Sequence, residues 1–151
     1  MTPEKTEELY EKYPIIFRQK NESMNRSPMA FGFSCDDGWF QLIEFLCRKL
    51  KRIQSVAGCQ VIADQVKEKF GTLRFYYHVE WNFGENEPDQ ETQDIWFSII
   101  YDVVRSTEYA SSCVCEVCGK PGSSTKQNSR RWLKTICDKC GAAAGYSNDE
   151  D

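Results

Sequence analysis

Two Cys-x-x-Cys pairs, Cys115-Glu-Val-Cys118 and Cys137-Asp-Lys-Cys140, are separated by eighteen residues, and a glycine follows each second cysteine, Gly119 and Gly141. A tetrahedral zinc ion needs four thiolates about 2.3 Å away, and a Cys-x-x-Cys turn presents two at once. Glycine tolerates the dihedrals that a backbone adopts as it folds tightly around a metal. The spacing therefore predicts a zinc ribbon with one structural Zn²⁺ held by Cys115, Cys118, Cys137 and Cys140, in preference to two redox dithiols or two disulfides. Four thiolates close the coordination shell and leave no place for a catalytic water. The staple fixes the fold of this stretch and leaves the function open.

The other cysteines lack a disulfide framework. Cys35, Cys47 and Cys59 are scattered and read as small buried apolar side chains. Cys113 lies two residues before Cys115 and competes as a ligand only through the poorer Cys-x-Cys spacing. The opening Met1-Thr-Pro-Glu-Lys5 has no basic start followed by an apolar core, so no secretory leader is expected. No apolar run approaches the roughly 20 residues of a membrane helix. These features predict a cytoplasmic protein with no membrane partner.

Charge is unevenly distributed. Residues 1–112 carry thirteen Lys/Arg against eighteen acids, whereas residues 113–146 carry six Lys/Arg against two. The tail, 147–151, holds Asp149, Glu150 and Asp151. A locally basic ribbon suits an anionic partner, although a Cys₄–Zn²⁺ centre carries −2 and cancels part of that field.

Hydrophobic periodicity predicts an α+β domain over 1–112, the ribbon over 113–146 and an acidic tail over 147–151. Thr2 before Pro3 reads as the start of a short helix that stops before Pro14. Residues 14–35 show no sustained period and read as a long loop. Trp39, Leu42, Ile43, Leu46, Leu50 and Ile53 fall on one stripe of a helix ending near Val56. From Leu73 the apolar residues alternate as in a half-buried strand, with residues 60–69 as its antiparallel partner through a turn at Phe70-Gly71. A loop around Gly84 and Pro88 leads to a second long helix, 89–110, with Ile95, Ile99, Ile100 and Val103 as its core stripe. A strand at 131–136 belongs to the ribbon. The expected architecture is helices packed on a β-hairpin or small antiparallel sheet, followed by the C-terminal Cys₄ ribbon.

Two segments are richer than packing requires. In Gly32-Phe-Ser-Cys-Asp-Asp-Gly-Trp39, paired carboxylates before a helix most simply cap it. The functional alternative has Asp37 facing a pocket and Trp39 serving as a stacking platform. In the hairpin, Lys67, Lys69, Arg74 and Tyr76 should share one face, opposite Phe75 and Tyr77. Cations interleaved with aromatics suit a phosphate-bearing, stackable ligand. The plainer reading is an exposed strand face with cross-strand Lys/Glu pairs.

These blocks, together with Val66-Lys-Glu-Lys-Phe-Gly-Thr-Leu-Arg-Phe-Tyr76, Cys115-Glu-Val-Cys-Gly-Lys-Pro-Gly122 and Thr135-Ile-Cys-Asp-Lys-Cys140, resemble a family of small zinc-ribbon proteins encoded by phages and prophages. The likeness spans most of residues 10–146 and brings no established activity with it. Asp36 stands where the family pattern has glycine before Asp-Gly-Trp, which makes Asp37 the better candidate for any shared role. A phage origin implies a place in the host cytoplasm and accessory roles such as counter-defence, by association and not by chemistry.

Three functions compete. The leading one is a non-catalytic accessory protein that binds an anionic small molecule or nucleotide, in the phage setting sequestering a host defence signal, at Asp37, Trp39, Lys67, Lys69, Arg74 and Tyr76. The second is an adaptor that binds nucleic acid or a host protein through Lys126, Arg130, Arg131, Trp132 and Lys134. The third is a hydrolase or transferase acting on a phosphorylated substrate, with acid/base work from Asp36, Asp37 and Glu68. Against the third, no nucleophile elbow, phosphate loop or deaminase signature occurs, and His78 is a lone mid-strand histidine. The sequence leaves room for a homo-oligomer.

Overall fold

The computed structural model describes residues 1–81 and 87–147. The loop around Gly84 falls partly outside them, and so does the acidic tail after Ser147. Helix α1 (Pro3–Lys12) ends at Tyr13, one residue before Pro14. Helix α2 (Phe40–Ala57) follows a short 3₁₀ turn at Asp37–Trp39 and stops at Gly58, whose φ of 67° is the left-handed C-cap that glycine supplies. Trp39, Ile43, Leu46 and Leu50 are fully buried, as the stripe requires.

The first sheet is mixed and three-stranded, in the order β1-β2-β3, where a purely antiparallel hairpin was expected. Strands β2 (Cys59–Lys69) and β3 (Thr72–Trp81) pair antiparallel with Lys69 opposite Thr72, leaving Phe70 and Gly71 as a two-residue turn. Both turn residues have positive φ, 54° and 76°, the twist that suits a tight hairpin. The register slips by one residue at Asp64, a β-bulge. Strand β1 (Phe33–Ser34) adds in parallel, with Phe33 opposite Val66. It lies in the stretch expected to be a loop. That stretch makes two 3₁₀ turns, Arg18–Asn21 and Pro28–Phe31, and sends Ile16, Phe17, Met29 and Phe33 into the core. Its elements are too short to generate a period, which is why the pattern conceals them.

Helix α3 (Gln90–Ser111) is capped by Asp89, whose carboxylate accepts from the Thr92 N–H at 2.8 Å. Its expected stripe needs correction. Ile100 is buried and Val103 partly so, but Ile95 is 55% exposed and Ile99 38%. The buried face is Ile100, Val104, Thr107, Glu108 and Ser111. Glu108 and Ser111 face inward because β3 is an edge strand with unpaired N–H groups. Glu108 Oε1 accepts from Phe75 N at 2.9 Å, and Ser111 Oγ from Leu73 N at 2.8 Å. The helix closes the sheet edge with polar atoms, which an apolar template misses. Among the described residues no helix is long and apolar enough to cross a membrane.

The C-terminal module has a second sheet, ordered β5-β4-β6, from β4 (Ser124–Asn128), β5 (Leu133–Ile136) and β6 (Tyr146–Ser147), with helix α4 (Asp138–Ala144) before β6. The whole is α+β.

Leu46 lies at the centre of the α2 stripe, so Leu46→Ala should cost roughly 2–5 kcal/mol. Chemical denaturation reads this directly, and a loss below about 0.5 kcal/mol, the scale of a surface change, would place the stripe in solvent.

Candidate functional site

Cys115 and Cys118 sit on a knuckle closed by two backbone hydrogen bonds, Gly119 N–H to Cys115 O at 2.8 Å and Cys115 N–H to Lys120 O at 2.9 Å. Gly119 takes φ 77° there. Cys137 ends β5 and caps α4, and Cys140 lies in the first turn of that helix. The four sulfur atoms all lie within 4.8 Å of one another, an arrangement able to hold a metal ion. The Cys140 backbone N–H lowers the Cys137 thiol to about 7, while hydrogen bonding with Cys137 and then Cys118 raises Cys140 to about 12. Cys113 stands outside the group and lies near Ser112 Oγ. Burial pushes Cys35 up to about 12 and Cys59 to about 11, as expected of thiols used as apolar filling.

The knuckle is seated on the start of α2. Gly38 N–H donates to Glu116 O at 2.7 Å. A Cβ on Gly38 would lie 2.2 Å from Cys115 O and 2.5 Å from Gly119 N. The Trp39 indole N–H donates to Val114 O at 2.8 Å, and the Asp36 N–H to Glu116 Oε1 at 3.0 Å. Lys134 Nζ bonds Asp36 Oδ2 at 2.6 Å and lies 3.4 Å from Glu116 Oε2. Burial raises the Glu116 pKa despite that neighbour, and Oε2 has no hydrogen-bond donor in good geometry. Burial works against the charge of Lys134, but the Asp36 hydrogen bond and the two carboxylates outweigh it and raise its pKa.

A second seat lies at the hairpin turn. Thr135 Oγ1 donates to Gly71 O at 2.6 Å and lies 3.0 Å from Thr125 Oγ1. A Cβ on Gly71 would come within 2.8 Å of Thr125 Cγ2. Asp-Gly-Trp and Phe-Gly-Thr, the two motifs that promised function, are thus the surfaces on which the cysteine module rests.

This divides the expected ligand residues. Trp39 is fully buried, so its ring offers no stacking platform. Asp37 accepts from Thr2 N–H at 2.6 Å and lies 3.5 Å from Lys5 Nζ, so it ties down the N-terminus. That hydrogen bond, then Lys5, lowers its pKa. Asp36 joins the interface instead.

Lys67, Lys69, Arg74 and Tyr76 behave as the strand phase requires. Lys67 pairs directly opposite Arg74, with its Nζ 5.4 Å from the Tyr76 ring centroid. Glu68 turns away to accept from Gly71 N–H at 2.6 Å. Arg74 donates to Leu73 O and forms no ion pair with Asp37 or Asp64. Asp64 instead binds His78 Nδ1 at 2.8 Å and accepts from Gln19 Nε2 at 3.1 Å.

The structure also brings together residues that the sequence assigned to rival hypotheses. A cleft of about 370 Å³ is lined by Glu68, Lys69 and Phe70 of the hairpin tip and by Arg131, Trp132 and Leu133 of the module. Phe70 is 69% exposed and Trp132 66%. Lys69, Arg74, Arg130 and Arg131 have no carboxylate partner among the described residues. Lys126 and Lys134 are already committed, to Asp138 and Asp36 respectively. No signal in the sequence joined Phe70 to Trp132, because their proximity depends on how the module docks. Compared with known proteins, the chain matches no family model, no curated protein and no solved structure.

Gly38→Ala should cost at least the roughly 1–3 kcal/mol of overpacking, because its Cβ meets backbone that cannot rotate aside. Thermal unfolding followed by circular dichroism tests this. A change within about 0.5 kcal/mol would show that the seat is not formed.

Proposed function

We propose that this chain is a zinc-stapled, non-catalytic binding protein that takes an anionic, nucleotide-like ligand in the cleft between the hairpin tip and the cysteine module. The observation that carries this reading is one cleft lined by two cations, Lys69 and Arg131, and two exposed aromatic rings, with its one carboxylate, Glu68, bonded to the Gly71 N–H. Lys69 and Arg131 face the phosphate, with Arg131 able to form two parallel hydrogen bonds to it. Phe70 and Trp132 offer apolar rings on which a base can stack. Lys67, Arg74 and Tyr76 continue the same cationic and aromatic surface along the hairpin. The resemblance to phage-encoded proteins makes sequestration of a host signalling nucleotide the role that fits such a site.

The metal in this reading is zinc. A tetrahedral ion with sulfur bonds of about 2.3 Å has ligand–ligand edges of about 3.8 Å, and Cys118 Sγ lies 3.8 Å from Cys137 Sγ. Four thiolates and no histidine or carboxylate in the group suit zinc better than a hard cation. The centre is structural, and its contribution is to the order of the module that carries Arg131 and Trp132.

Freshly purified protein should contain one zinc per chain by elemental analysis, and Cys118→Ser should lose it and disorder the module. A metal-free folded protein would remove the staple from this account. In isothermal titration against a panel of mononucleotides and cyclic dinucleotides, Arg131→Ala and Trp132→Ala should each weaken binding at least tenfold, about 1.4 kcal/mol. The melting temperature should hold, because both side chains are exposed. Wild-type affinity in both variants would place the ligand elsewhere.

A further inference from the structure

Ile95 and Ile99 are exposed on α3, and Phe45 on α2 is 43% exposed. Phe45 lines a groove of about 340 Å³ between the two helices together with Leu42, Val103 and Ala110, and Ile99 stands about one helical turn before Val103 on α3. Apolar surface gathered along a groove in this way marks an interaction site rather than scattered exposure. The charges on its edges are of opposite sign. Lys49 lines it from α2 and Asp102 from α3, and neither has an ion-pair partner among the described residues. Lys49 instead lies over the Phe45 ring, 5.2 Å from its centroid.

We propose that a second copy of this chain docks here, with a two-fold axis running along the groove. Such an axis lays α2 of one copy over α3 of the other at the same height. Lys49 then meets the partner's Asp102, and the same pair forms again on the other side, as an isologous contact requires. An axis across the groove would instead lay α2 over the partner's α2 and part Lys49 from the partner's Asp102. Charge thus selects both the occupant and its orientation. The apolar floor and its neighbouring isoleucines form the dry centre, and the paired charges form the rim. The surface is distinct from the proposed ligand cleft, which is lined by the hairpin tip and the cysteine module.

Sedimentation equilibrium of the full metal-loaded chain should show a monomer–dimer equilibrium. Lys49→Glu and Asp102→Lys should each raise the dissociation constant at least tenfold, about 1.4 kcal/mol. The double variant exchanges the charges across the groove and should regain most of that loss. Melting of the monomer at low concentration should be unchanged in all three, because both positions are at the surface. A chain that stays monomeric to about 1 mM, where association is worth no more than about 4 kcal/mol, overturns the proposal. So does a dimer indifferent to either reversal, or a double variant as weak as the single ones.

Discussion

The Gly38 N–H bonded to Glu116 O is the contact on which the rest of this structure depends. It brings backbone against backbone, with the Gly38 Cα side so close to the cysteine knuckle that no side chain fits between. Such an approach aligns the surrounding donors. The Trp39 indole, the Asp36 amide and the Lys134 ammonium each find a fixed acceptor within the same few ångströms. These engaged donors favour one docking geometry over its neighbours, although Glu116 Oε2 is left without a donor in good geometry. The second glycine, Gly71, repeats the arrangement at the hairpin turn, where its carbonyl receives the Thr135 hydroxyl. Two seats fix orientation where one would allow pivoting.

The position of the module governs the chemistry of the surface. Docking consumes Lys134 in the interface, while Lys126 is held by Asp138. Two cations without a carboxylate partner among the described residues, Lys69 and Arg131, line a cleft that exists only because the hairpin tip and the module meet. On the proposed reading folding and recognition share a cause: a metal held by the four cysteines would order the knuckle, the knuckle seats on Gly38, and the seat sets Trp132 beside the cleft it shares with Phe70.

Much of the fold was legible from local pattern. The Cys-x-x-Cys spacing, the α2 stripe and the hairpin with its turn at Phe70-Gly71 all appear where periodicity put them. Three features escaped because their cause is tertiary. The stretch 14–35 contributes Ile16, Phe17 and Met29 to the core from turns too short to show a period. Glu108 and Ser111 are buried to satisfy a strand edge that only the folded sheet possesses. Asp-Gly-Trp reads as a helix start and a ligand platform because its chain neighbours suggest both. Its partner, Glu116, is 78 residues beyond Gly38 in the sequence, and nothing local announces that contact. The richness of the motif was a real signal, and its object was another part of the same chain.

The central claim is that the cysteine module is seated through Gly38 and depends on its metal for that seat. Hydrogen exchange at single-residue resolution, with and without a chelator, tests it most directly. Removing the metal should release the Gly38 amide, the Asp36 amide and the Trp39 indole N–H together, while the paired amides of β2 and β3 keep their protection. Protection at Gly38 and Trp39 that persists in metal-free protein would contradict the account, because the seat would then stand without the staple.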